Sequence, residues 1–207
     1  MADATSETAV LWGTAEDGHR DGRELVIMMH GRGGKESDLF GLARFFLPES
    51  TVVASLRAPN VYGSGYAWYS EDPQAELAAS VAGVLAWLDG LSFTPAGVGL
   101  MGFSQGARMA LQLLRQAPGR FRYALPLSGA VAEGEHPGDA ALAAATPRVP
   151  VFWGHGDADE AIAPESIEHT RAWLGEHTRA EEHVYPMGHT IAQDELADLK
   201  RFVAAQH

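Results

Sequence analysis

The stretch Val98-Gly-Leu-Met-Gly-Phe-Ser-Gln-Gly-Ala107, VGLMGFSQGA, decides both the fold and the chemistry. Val98–Met101 is a short apolar run, the pattern of a buried strand. Gln105–Gln116 reads as a helix that stops at Pro118-Gly119. Between them, Gly102-Phe-Ser-Gln-Gly106 fits the pattern G-x-S-x-G. A strand that turns at once into a helix leaves no space for side chains beside the turn, which calls for the glycines, and it strains the serine backbone. Such a turn lifts the Ser104 hydroxyl above the sheet edge, at a helix N-terminus that favours developing negative charge. The competing reading is a packing turn that holds a serine by accident. Strand, turn and helix in succession favour a nucleophile.

Outward from this turn, strands and helices alternate. Leu25–His30 (LVIMMH), Thr51–Leu56, Tyr123–Leu127, Val149–Trp153 and Glu182–Tyr185 read as strands. Ser37 is expected to cap an amphipathic helix with Leu39, Leu42, Phe45 and Phe46 inward. Further helices are expected from about Pro73 to Asp89 and over Pro164–Leu174. A last helix is opened by a Thr190/Gln193 capping box, with Ile191, Leu196, Leu199 and Val203 on one face. Ala9–Gly13 is expected as an antiparallel edge strand, and residues 133–139 as a surface excursion. The alternation predicts an α/β fold, a mostly parallel central sheet with helices on both faces. Function then belongs in the loops at the carboxyl ends of the strands.

The 207 residues suit a single domain spanning 1–207, with residues 1–7 as a flexible N-terminal tail. With no cysteine, a disulfide framework and a thiolate nucleophile are excluded. The net charge of −12 repels phosphate backbones and anionic membranes, so no nucleic-acid partner and no stable membrane insertion are expected. The N-terminus shows no basic n-region and no apolar h-region, which points to the cytoplasm. Monomer and homodimer are both compatible with this composition.

A serine hydroxyl needs a base to take its proton. On such a sheet the base is a histidine after the last strand, and the acid lies between serine and histidine in the chain. His189 follows the last predicted strand and precedes a helix, so it is the expected base. His169 and His177 fall on or just after a helix and are expected to be solvated. The loop after Val149–Trp153 offers Asp157, Asp159 and Glu160, and spacing does not choose among them. His155 is expected to shape that loop through hydrogen bonds.

An oxyanion hole needs two backbone N–H groups. Gln105, the residue after the serine, supplies one, and Arg32 in the loop His30-Gly-Arg-Gly-Gly34 the other. Gln105 then matters for its N–H, and its side chain is expected to tolerate substitution better than Ser104 does. A phosphate-cradling role for the loop lacks the G-K-[ST] that should follow. His30 is expected to bond the loop backbone. Tyr66, Trp68, Ile162 and Met187 are the expected pocket walls, with core packing the rival role for the two aromatics.

In order along the chain, MMHGRGG, LRAP, GYAWY, GFSQGA, HGDADEAIAP and PMGH resemble the phospholipase/carboxylesterase family of α/β-hydrolases, which includes acyl-protein thioesterases and small bacterial carboxylesterases. The resemblance runs from about residue 24 to 205. It implies the α/β-hydrolase fold without a large lid domain. It also implies an acid at the aspartate of H-G-x-x-D-x-x-[VI], which is Asp159, with Ile162 in the last place. Arg32 stands where the acyl-protein thioesterases carry leucine, and GYAWY resembles the bacterial branch. The implied activity is a Ser-His-Asp hydrolase of small-molecule carboxylic esters, with thioesters or lysophospholipids as related substrates. It acts through an acyl-enzyme, with no cofactor and no metal. Two rivals remain: a metal-dependent hydrolase built on His155, Asp157, Asp159 and His189, and a non-catalytic binding protein on the same fold.

Overall fold

The computed structural model describes residues 9–13, 19–70 and 73–206. The expected tail, residues 1–7, lies outside the described residues. In chain order the elements are β1 (Val10–Gly13), β2 (Glu24–Met29), α1 (Ser37–Phe40), α2 (Ala43–Phe46), β3 (Val52–Leu56), β4 (Asn60–Tyr62), β5 (Gly65–Ala67), α3 (Pro73–Asp89) and β6 (Gly97–Phe103). There follow α4 (Gln105–Gln116), β7 (Tyr123–Leu127), α5 (Asp139–Ala144), β8 (Pro150–Gly156), α6 (Pro164–His177), β9 (Arg179–Tyr185) and α7 (Gln193–Ala204). Seven strands form one sheet in the order β1-β3-β2-β6-β7-β8-β9. Only β1 runs antiparallel.

The sheet is covered on both faces, and the side-chain alternation shows how. Leu25, Ile27 and Leu100 pack with Leu77 and Val81 of α3, Met109 of α4 and Trp173 of α6. Val26, Met28 and Met101 pack on the opposite face with Leu39 of α1, Phe46 of α2 and Phe202 of α7. Every residue of β2, β3 and β7 is buried, as parallel strands between two helical layers require. The edge strand β9 is mostly exposed and charged, which discourages pairing with another chain. Among the described residues no helical insertion covers the carboxyl edge of the sheet, and no helix is long and apolar enough to cross a membrane.

Several local expectations are corrected. The helix expected from Ser37 breaks into α1 and α2 around Gly41, a poor helix former. Glu36 takes the N-cap position, and Phe45 faces solvent. The last helix starts at Gln193, where the Ala192 N–H donates to Glu195, so the box lies two residues beyond Thr190. Strands β8 and β9 are longer than their apolar cores, and His155 falls inside β8. Residues 133–139 do form the expected surface excursion, with none of them buried, and the buried Arg115 anchors it. Arg115 donates to both oxygens of Asp139 and to the carbonyls of Ala132 and Gly134. A buried guanidinium needs such a full set of acceptors.

Candidate active site

The turn from β6 to α4 holds Ser104 at φ 55° and ψ −114°, a conformation that L-residues avoid. A Cβ on Gly102 would strike the Gly106 carbonyl, and one on Gly106 would strike that of Met29. The two glycines are therefore where the strand, the helix and β2 meet without side chains. The Ser104 N–H donates to Leu127 O at 3.0 Å, which fixes the turn to the neighbouring strand.

The hydroxyl of Ser104 lies 2.9 Å from His189 Nε2. The other nitrogen, Nδ1, donates to Asp159 Oδ2 at 2.8 Å. Asp159 Oδ1 accepts the Ala161 N–H at 2.9 Å, so both carboxylate oxygens are engaged. The Asp159 side chain is 2% exposed and the His189 side chain 28%, so the chain of bonds runs from an enclosed carboxylate to an open hydroxyl. The Phe103 ring stands 4.9 Å from the imidazole and backs it. Asp157 and Glu160, the other two acids of the loop, face solvent.

Backbone pairing sets this arrangement. Asp157 N–H donates to Tyr185 O and Ala158 N–H to Met187 O, which laces the loop after β8 to the loop after β9. Ser128 Oγ donates to Thr190 O, tying in the loop after β7. Met187 thus contributes its carbonyl to the site's frame, while its partly buried side chain packs against the core.

The loop His30–Gly34 lies against Ser104 and is pinned to β5, with Gly33 N–H donating to Tyr66 O and Tyr66 N–H to Gly34 O. Among the described residues, the N–H groups of Arg32 and Gln105 have no internal acceptor. His30 is buried beneath this loop. Its Nε2 accepts the Ala58 N–H, so Nδ1 carries the proton and donates to Gly31 O at 2.7 Å. Burial holds its pKa below the usual histidine value, which keeps this neutral tautomer.

The side chain of Gln105 has a role that the sequence reading missed. It is buried, accepts the Trp68 N–H at 3.1 Å and donates to Tyr69 O at 2.9 Å. Gln105→Ala should lower stability by about 2 kcal/mol, because two buried backbone groups lose their partners. Urea unfolding of the variant beside wild type measures this, and an unchanged midpoint would refute the clamp.

The expected pocket walls are placed differently. Trp68 is 1% exposed and donates its indole N–H to His30 O, a core position. With Tyr66 it lines a cavity of about 480 Å³ against α3. A separate cleft of about 420 Å³ is lined by His189, Arg32, Phe103, Leu39, Leu42 and Ile191, among others. Ile162 is partly exposed and is not among the residues lining either cavity. Phe103 is legible in sequence as the residue beside the serine, whereas the spacing of Ile191 marks only a helix face.

Two other histidines depart from expectation. His177 is buried, with Nδ1 bonded to Trp173 O, instead of solvated. His155 meets Glu182 of β9 at 2.9 Å, away from Asp159 and His189. Among the described residues no three acidic or histidine side chains gather as a metal site.

Behind the His189 loop, Glu195 is fully buried with one carboxyl oxygen unbonded. Burial pushes its pKa up to about 7 from the ordinary 4.5. Between those values the folded protein keeps a proton that the unfolded chain has lost, so this contribution to stability falls as pH rises. Urea unfolding should show a loss of at most about 3 kcal/mol from pH ~4.5 to ~7.5. Glu195→Gln should flatten that slope, and an equal slope in the variant would exclude Glu195 as its source.

With this geometry in hand, the chain matches the family described as Phospholipase/Carboxylesterase over residues 84–207, more than half its length. A Mycosarcoma maydis protein described as an uncharacterized hydrolase, UM10204, is 33% identical over 107 residues, covering 44% of this chain. The match spans about two fifths of that relative, 41% of its length. The crystal structure of esterase PE8 is 26% identical, with a TM-score of 0.78 over 97% of this chain and 100% of that one. The Bacillus cereus carboxylesterase, at 18% identity, shares the fold with a TM-score of 0.80 over 98% of this chain and 96% of its own. The strand order, the serine turn and these likenesses agree: this chain belongs to the phospholipase/carboxylesterase family of α/β-hydrolases.

Proposed function

We propose that the protein hydrolyses small-molecule carboxylic esters, thioesters and lysophospholipids being related substrates, through Ser104, His189 and Asp159. The whole chain then acts as one domain. The observation that carries this reading is the unbroken hydrogen-bond chain from Ser104 Oγ through His189 to the enclosed Asp159 carboxylate. His189 Nε2 takes the Ser104 proton as Oγ attacks the ester carbonyl carbon. The carbonyl π pair moves to oxygen, and the N–H groups of Gln105 and Arg32 stabilise that charge. Collapse of the tetrahedral intermediate breaks the bond to the leaving oxygen, which takes the proton from His189. Water, giving a proton to the same imidazole, then attacks the acyl carbon; the bond to Ser104 Oγ breaks, Oγ takes that proton from His189, and the carboxylic acid leaves. Asp159 keeps the imidazole proton on Nδ1 throughout and steadies the imidazolium.

A fluorophosphonate probe with mass-spectrometric mapping tests the nucleophile. It should attach to Ser104 in wild type and not in Ser104→Ala. Labelling elsewhere, or none in protein that hydrolyses esters, would sink this reading.

A further inference from the structure

Two unlike surfaces flank Ser104. On the side of α1, α2 and α7 lies the cleft that His189 lines, walled by Phe103, Leu39, Leu42 and Ile191. On the side of α4 lies Arg108. It sits one turn beyond Ser104, and helical side chains lean back toward the helix N-terminus, so it overlies the turn that carries the serine.

Arg108 is half-buried and donates its Nε–H to Ala130 O at 3.2 Å. Ala130 follows Gly129, where a Cβ would press on the Ser104 carbonyl, so the guanidinium is held beside the same centre. It stands 5.9 Å from the centre of the Tyr69 ring. Among the described residues no carboxylate pairs with it, whereas Arg115 on the same helix is satisfied by Asp139. The other guanidinium near the site, that of Arg32, lies on the opposite side, in the lining of the His189 cleft, and is exposed. Burial raises the pKa of the Tyr69 hydroxyl, and the charge of Arg108 beside that ring pulls it back. The one carboxylate on the cleft, Asp38, accepts the Lys35 N–H. A half-buried guanidinium beside the serine turn, with no carboxylate partner among the described residues, makes a local site for an anion in a chain of net charge −12.

We propose that the protein takes esters whose acyl part carries a free carboxylate, half-esters of short dicarboxylic acids, with Arg108 as the anchor. Proton transfer sets the direction. His189 must protonate the leaving oxygen, so the leaving group occupies the cleft that His189 lines and the acyl part extends toward α4. This rests on the reading of Ser104, His189 and Asp159 given above.

The test compares mono-4-nitrophenyl succinate with 4-nitrophenyl butyrate, which carries a methyl in place of the carboxylate. Wild type should favour the succinate half-ester by about tenfold or more in kcat/KM, and added salt should shrink that preference. Arg108→Gln should lower the succinate-to-butyrate ratio by roughly 10- to 100-fold. Arg108→Lys should lower it less, since a point charge replaces the planar fork. Should Arg108→Gln fail to fold, the wild-type preference and its salt response decide. A wild type that favours butyrate, or a ratio unchanged in Arg108→Gln, overturns the proposal. Hydrolysis of butyrate without the succinate half-ester would sink the carboxylate site and leave the Ser104 reading standing. Turnover of both by Ser104→Ala would sink both.

Discussion

Replacing Ser104 with alanine should reduce ester hydrolysis by about 10⁴-fold or more, with the fold intact. The size follows from the chemistry. Without Oγ no acyl-enzyme forms, and the imidazole, the oxyanion N–H groups and the cleft retain only their weak action on direct attack by water. Steady-state kinetics on 4-nitrophenyl butyrate, with circular dichroism to check folding, measure the loss. A folded Ser104→Ala protein with near-normal turnover would mean that Ser104 is not the nucleophile. A companion variant probes the strain of the turn. Ser104→Gly and Ser104→Ala both lose the bond to His189, so their difference reports on the backbone at φ 55°. Glycine adopts this conformation readily, whereas the strain on a larger residue is about 1–3 kcal/mol. Ser104→Gly should therefore be at least as stable as Ser104→Ala, despite the ordinary penalty of about 0.5–1 kcal/mol for glycine.

The frame of this molecule is legible in its sequence because parallel strands buried on both faces read as continuous apolar runs. LVIMMH and TVVASL could pack nowhere else. The positions of Ser104 and His189 follow from where such a sheet opens, at the carboxyl ends of its strands. What escapes is polar burial, which depends on partners distant in the chain. Gln105 is silent in sequence because its partners are the backbone of Trp68 and Tyr69, delivered by the β4–β5 hairpin. Arg115 reaches forward to Asp139 across a loop whose composition marks only a surface excursion. Trp68 looks like a pocket wall from its position after a glycine loop, yet the His30 carbonyl draws its indole into the core. Spacing also cannot separate Asp157 from Asp159, two residues apart on one loop. The pairing of Asp157 N–H with Tyr185 and of Ala158 N–H with Met187 turns the second aspartate toward His189.

That choice yields the second large expected effect. Asp159→Asn should lower kcat by about 10³- to 10⁴-fold, while Asp157→Asn should change it by less than about tenfold. The reason lies in the two bonds of Asp159. Its Oδ1 accepts the Ala161 N–H, and its Oδ2 accepts the His189 Nδ1–H. An asparagine keeps its carbonyl oxygen on Ala161 and turns its NH₂ toward Nδ1. That group can only donate, so Nδ1 becomes an acceptor and the imidazole proton moves to Nε2. The nitrogen facing Ser104 at 2.9 Å is then already protonated and cannot take the hydroxyl proton. The imidazolium that forms during attack also loses the carboxylate that stabilises it. Asp159→Ala, which imposes no tautomer, should recover part of the activity relative to Asp159→Asn, most visibly at high pH where hydroxide assists. Single-turnover acylation by 4-nitrophenyl butyrate across pH 6–10 separates the cases. An Asp159→Asn protein that acylates at the wild-type rate, or an Asp157→Asn protein that does not, would move the acid to the other aspartate.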